Sequence, residues 1–94
     1  MKFSNKAMIL AVDAGNSRVK WALHDGRAFV RDGWVPHADL DALDSQWSSL
    51  PPPTSIVIAN VAGDETGRRL RKFSGRWTIA PMWAASARTQ STNS

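Results

Sequence analysis

The stretch Ile9-Leu10-Ala11-Val12-Asp13-Ala14-Gly15-Asn16-Ser17-Arg18-Val19-Lys20-Trp21 decides how this chain folds. It begins inside an apolar run, Ala7 to Val12, which Asp13 ends and Gly15 follows. An uninterrupted apolar run closed by turn residues is expected of a strand buried on both faces. From Arg18 to His24 the pattern changes to alternation. Val19, Trp21 and Leu23 point one way, and Arg18, Lys20 and Ala22 the other, as in a half-buried strand. Gly15-Asn16 between the two runs supplies a sharp turn.

Working outward, Asp25-Gly26 predicts a tight hairpin turn, because both residues tolerate positive φ. A third strand is expected over Arg27 to Val35, broken by Pro36 and His37. Leu40, Leu43, Trp47 and Leu50 then recur at helical spacing, with Asp39, Asp41 and Asp44 toward the favourable N-terminal end. Pro51-Pro52-Pro53 stops that helix. Thr54 to Ala59 reads as a β-branched strand, and Asn60-Val61-Ala62-Gly63 turns out of it. Asp64 is the expected N-cap of a second helix through Phe73, which Gly75 closes. Trp77 to Ala80 reads as a short strand. The order β-β-β-α-β-α-β predicts an antiparallel meander followed by a right-handed parallel crossover, hence an α/β fold with a mixed sheet. Trp21, Trp34, Trp47 and Trp77 are expected to face the core mostly, with Trp83 exposed. Residues 84–94 read as a polar, disordered tail.

A chain of 94 residues suits one small domain. With 43% hydrophobic and 21% charged residues it has a globular rather than a disordered composition. It holds no cysteine, which excludes disulfides and thiolate metal sites. The Ala7 to Val12 run is too short for a membrane span, and no signal-peptide pattern is present, so a soluble cytoplasmic protein is expected. The net charge of +4 suits either nucleic acid or phosphorylated small molecules. The cations Arg68, Arg69, Arg71, Lys72 and Arg76 lie in and after the second helix without interleaved aromatics. They read as a solvated helix face rather than a nucleic-acid surface. His24 and His37 stand alone, which gives zinc no ligand set.

The chemistry concentrates in Asp13-Ala14-Gly15-Asn16-Ser17-Arg18-Val19-Lys20. Backbone N–H groups of such a turn can form a concavity for phosphate oxygens, and Gly15 lets a ligand approach the backbone closely. Asn16 offers an amide, Ser17 a hydroxyl and Lys20 a positive charge. Asp13 repels phosphate but could hold Mg²⁺ that bridges to it. The same residues also suit an ordinary hairpin turn, and composition alone leaves both readings open. No Walker A spacing and no GxGxxG occur.

The run from Ile9 to Trp21 resembles the opening of type III pantothenate kinases, an apolar strand followed by D-x-G-N-[ST]. Ile56-Val57-Ile58-Ala59-Asn60-Val61-Ala62-Gly63 is similar to that family's strand ending in [SA]-N-V. The resemblance implies the ribonuclease H-like (actin-like) type of mixed sheet, with residues 7–80 as an N-terminal actin-like kinase subdomain. It implies phosphorylation of pantothenate by ATP, the first step of coenzyme A synthesis, in a cytoplasmic homodimer that uses Mg²⁺ and a monovalent cation, K⁺ or NH₄⁺. Asp13, Ala14, Gly15, Asn16, Ser17, Arg18, Val19 and Lys20 match the ATP-phosphate segment, with Asp13 on the metal side. The family's catalytic G-x-D-R segment does not occur in this sequence. The chain is therefore expected to be an N-terminal part, inactive alone, whose polar end stands where that segment would begin. Two other readings are a non-catalytic binding or regulatory module, and a piece of another actin-like ATPase or sugar kinase.

Overall fold

The computed structural model of the chain describes residues 7–84. Its order is β1 (Ile9–Ala14), β2 (Arg18–His24), β3 (Phe29–Pro36), a 3₁₀ turn (His37–Asp39), α1 (Ala42–Trp47), β4 (Ser55–Asn60), α2 (Asp64–Ser74) and β5 (Met82–Trp83). The strands form one sheet in the order β3-β2-β1-β4-β5. β1 pairs antiparallel with β2 and parallel with β4, and β5 adds parallel to β4. The fold is α/β with a mixed sheet, as the sequence predicts.

The alternation in β2 falls as expected: Val19, Trp21 and Leu23 are buried while Arg18 and Lys20 are exposed. β1 does not follow its apolar run. Leu10, Val12 and Ala14 are buried, whereas Ala11 and Asp13 between them are exposed. Both helices lie on one side, so among the described residues only one face of the sheet is covered. There the sheet residues pack with Leu40, Leu43, Trp47, Leu50 and Leu70 in a single core. Among the described residues the opposite face is open.

Several local expectations shift. β1 runs to Ala14 and β3 to Pro36, because ladder pairing continues past the residues at which the hydrophobic pattern stops. Helix α1 is shorter than its apolar spacing, since Leu40 lies in the turn before it and Leu50 in the turn after it. At α2, Gly63 is the N-cap, with φ 103°, and Asp64 is the first helical residue without a side-chain cap bond. A left-handed residue is needed to turn the chain from β4 into α2, and glycine takes that conformation at no steric cost. Trp77–Ala80 is not a strand. That segment bends under the core, with Trp77 stacked against Trp47 at 5.7 Å, and the edge strand forms later at Met82–Trp83. Apart from Ala84, the tail expected over 84–94 lies outside the described residues.

Two details fix the β2–β3 hairpin. Gly26 has φ 92°, and the Asp25 carboxylate accepts from the N–H groups of Arg27 and Ala28 at 2.9 and 3.0 Å. Gly33 sits opposite Trp21, where an added Cβ would come within 2.8 Å of the indole. Glycine thus opens the space that lets Trp21 lie flat and donate Nε1–H to Gln46 at 2.7 Å. Trp34, its neighbour, breaks the expectation of a core-facing tryptophan. Alternation from buried Val35 turns it onto the open face, 53% exposed.

The basic cluster is largely neutralised. Arg69 pairs with Asp41 and Arg76 with Asp44, which ties α2 and its exit to the α1 region, while Arg68 pairs with Glu65 at 2.6 Å. Exposed pairs of this kind contribute about 0–1 kcal/mol each, so burial decides stability. Among the described residues, no helix is long and apolar enough to cross a membrane.

Adjacent residues of β1 should therefore respond oppositely. Leu10→Ala is expected to cost about 2–5 kcal/mol in urea unfolding, as for a large core residue. Ala11→Ser should change stability by under about 0.5 kcal/mol, as at an exposed surface position. Equal losses at both positions would contradict the one-sided core.

Candidate phosphate-binding hairpin

The turn from β1 into β2 is built from Gly15, Asn16 and Ser17. The Gly15 N–H donates to the Arg18 carbonyl at 3.0 Å, which closes the turn. The Ser17 carbonyl accepts from the His37 N–H at 2.9 Å, and the His37 ring meets the Thr66 hydroxyl at 2.7 Å. The hairpin is thus tied through His37 to α2. Neither His37 nor Thr66 was expected to support the site, and no local pattern in the sequence joins residues that far apart. Among the described residues, the N–H groups of Asn16 and Ser17 have no intramolecular acceptor. Both residues are exposed.

The strand register gathers the other candidates. Asp13 is opposite Lys20 across the β1–β2 ladder, both on the open face and both lining a cavity of about 570 Å³. They form no ion pair with each other. Arg18 lies on the same face, with its guanidinium 5.2 Å above the Trp34 ring. The side chains of Ala14 and Val19 are fully buried, so these two residues present only backbone to a ligand.

On the other side of β1, Ala14 is opposite Asn60, and the Val61 N–H donates to the Ala14 carbonyl at 3.0 Å. The carboxyl ends of two parallel strands and the start of α2 therefore meet beside the hairpin. That is where ligands collect in open α/β sheets. Asn60 is a turn former, as expected. Its Oδ1 accepts from the Ala62 N–H, and its Nδ2 donates to the Gly63 carbonyl, both at 2.9 Å. Its amide is spent locally.

Gly15 separates the two readings of the hairpin. Positive φ among the glycines occurs only at Gly26 and Gly63, and a Cβ on Gly15 would meet its nearest atom, the Arg18 carbonyl oxygen, at 3.4 Å. That is ordinary contact distance. The turn itself places no demand for glycine here, while a ligand lying against the backbone would.

Asp13 is a lone carboxylate. Among the described residues, no group of three or more acidic or histidine side chains gathers to hold a metal. Magnesium needs no such cage, since it commonly keeps several waters and binds through one or two carboxylates and the ligand's phosphates. One exposed Asp beside the turn fits that requirement.

Comparison with known proteins follows the same stretch. The family model for type III pantothenate kinase matches residues 9–93. The type III pantothenate kinase of Nitrosospira multiformis is 40% identical over 76 residues, covering 81% of this chain and 29% of that protein. That of Dechloromonas aromatica is 41% identical, covering 81% and 31%. That of Burkholderia mallei is 49% identical, covering 79% and 28%. This chain thus spans under a third of the length of the curated relatives it matches. Among solved structures, an exopolyphosphatase from Cytophaga hutchinsonii aligns with a TM-score of 0.40 at 11% identity, over 81% of this chain and 33% of its own. The family match spans both Asp13–Ser17 and Ala59–Val61, and the chain belongs to the type III pantothenate kinase family.

Proposed function

We propose that this chain forms the ATP-phosphate-binding part of a kinase that transfers the γ-phosphate of ATP to pantothenate, in the cytoplasm. The observation that carries the reading is the hairpin turn, with two unengaged N–H groups at Asn16 and Ser17 next to a glycine that the backbone does not require. Successive free N–H groups at a turn attract phosphate oxygens. The Ser17 hydroxyl and the Lys20 ammonium add a donor and a charge on the same hairpin. Bound Mg²⁺ would draw together phosphate oxygens and offset their negative charge. Asp13 is the side chain to hold it, through water.

The turn positions the phosphates of a nucleotide; it holds no base for the hydroxyl of the acceptor. Phosphoryl transfer needs both substrates aligned at once, and positioning accounts for most of the rate. The base, the pantothenate site and the site for a monovalent cation belong, on this reading, to the part of the family that lies beyond the matched stretch, as does the homodimer contact. The 94 residues alone then bind nucleotide without turning it over. Family membership argues against the reading as a piece of some other actin-like ATPase or sugar kinase.

A titration with Mg-ATP, followed by tryptophan fluorescence, tests the site. Saturable binding is expected, and Asp13→Asn should weaken it by about tenfold, equivalent to 1.4 kcal/mol. Gly15→Ala should weaken it similarly while leaving the thermal midpoint nearly unchanged, because its methyl group meets only the Arg18 carbonyl oxygen, at ordinary contact distance. A folded chain that gives no response to Mg-ATP would remove the phosphate-binding reading and favour a non-catalytic binding module.

Incubated with ATP and pantothenate, the chain should release no ADP above background in a coupled assay. Turnover by the chain alone would overturn the division of labour proposed above.

A further inference from the structure

The described chain holds two asparagines, Asn16 and Asn60, and both stand where a strand gives way to a turn. Their surroundings differ. At Asn60, Oδ1 accepts from the Ala62 N–H and Nδ2 donates to the Gly63 carbonyl, both at 2.9 Å. The next backbone nitrogen, that of Val61, donates to the Ala14 carbonyl at 3.0 Å. Val61 is also β-branched and crowds its own nitrogen. At Asn16 nothing is engaged. Among the described residues its side-chain amide has no hydrogen-bond partner, and neither has the N–H of Ser17 that follows it. Both residues are exposed, and Ser17 is small and unbranched.

That combination has a chemistry of its own. The backbone nitrogen after an asparagine is placed to close a five-membered ring on the side-chain carbonyl, an intramolecular attack favoured by proximity. Hydrogen bonds to the amide and to that nitrogen oppose it, as at Asn60. At Asn16 no such restraint exists. Hydroxide removes the Ser17 amide proton, and the nitrogen attacks Asn16 Cγ. The Cγ–Nδ2 bond breaks, and Nδ2 leaves as ammonia after taking a proton from water. One water molecule then opens the resulting succinimide. Opening at Cγ restores the Ser17 N–H and leaves aspartate at position 16. Opening at the main-chain carbonyl leaves isoaspartate, with the backbone rerouted through Cβ. In balance, one amide and one water give one carboxylic acid and one ammonia, without oxidant or enzyme. The new acid is ionised at neutral pH.

We propose that Asn16-Ser17 is a site of spontaneous deamidation, and that this reaction and phosphate binding exclude each other. The Ser17 nitrogen is a nucleophile while its N–H is unengaged, and a phosphate oxygen that accepts from it blocks the attack. After the reaction a carboxylate stands in the turn where phosphate oxygens approach, and like charges repel. Bound nucleotide thus preserves the turn, whereas an empty turn loses its capacity for phosphate with time. The deamidation stands on the geometry of the turn alone, while its link to nucleotide rests on the phosphate-binding reading.

The test follows mass in tryptic peptides. The chain is incubated in mildly alkaline buffer, native and unfolded in urea, and sampled over time. Cleavage after Lys6 and Arg18 releases Asn16, and cleavage after Arg31 and Arg68 releases Asn60, each as the sole asparagine of its peptide. In the native chain Asn16 should convert within about threefold of its rate in urea, whereas Asn60 should lag its own rate in urea by about 100-fold, since it reacts only through local opening. A native rate at Asn16 as depressed as that at Asn60 would overturn the proposal. Mg-ATP at about ten times its dissociation constant should slow conversion at Asn16 about tenfold, in proportion to the free fraction, and leave Asn60 unaffected. Binding seen by tryptophan fluorescence without that slowing would overturn the mutual exclusion. Asn16→Asp should weaken Mg-ATP by at least about tenfold while the thermal midpoint holds, and undiminished affinity would count equally against the exclusion. Should Mg-ATP neither bind nor protect while Asn16 still converts, the exclusion falls together with the phosphate-binding reading, and the deamidation site stands.

Discussion

Everything in this structure hangs on the hydrogen-bond ladders of β1. It is the central strand of the five, paired antiparallel to β2 on one edge and parallel to β4 on the other. The register of those two ladders determines what stands beside what. It sets Asp13 against Lys20 and Ala14 against Asn60, and so brings the phosphate-type turn, the Asn60 turn and the start of α2 to one corner. A slip of one residue would invert every side chain of β1. Leu10, Val12 and Ala14 would leave the core, and Asp13 would enter it. Burial of three apolar side chains therefore holds the position of one carboxylate.

How much could be read beforehand varied with the range of the cause. The β2 pattern, the Asp25-Gly26 turn and the Asn60 turn depend on neighbours in sequence, and each appears where the residues predict it. The double burial expected of β1 does not appear. An apolar residue such as Ala11 reports that a face can be buried, and whether a layer covers it depends on segments far along the chain. Trp34 was missed for a related reason. Its size suggests core packing, but the alternation from Val35 and the pairing with Lys20 turn it outward. Trp77 faces the core and Trp83 is exposed, as expected, but the edge strand forms at Met82–Trp83 because Trp77 packs against Trp47 before the chain rejoins the sheet.

The site itself was legible as composition and illegible as geometry. The residues of the hairpin were all identifiable, yet the sequence left a plain turn and a ligand turn indistinguishable. What supports the proposed ligand turn is local stereochemistry. Gly15 has neither a left-handed backbone nor a crowded Cβ position, while Gly26, Gly33 and Gly63 each have one or the other. The support of the turn by His37 and Thr66 is a tertiary contact between distant segments, and periodicity carries no trace of it.

The outer edge of β3 has a further consequence, for solubility. This is an eight-residue edge strand whose unpaired backbone groups face outward, and Phe29 and Val30 stand exposed beside them. Long bare edges of that kind recruit other chains into extended sheets. Here Arg31 and Asp32 sit in the middle of the strand, Gly33 interrupts its side-chain surface, and Pro36 closes it without a donor. Arg31, Asp32 and Pro36, which add nothing to the core, thereby guard this edge against self-templating, a constraint that neither folding nor phosphate chemistry would impose.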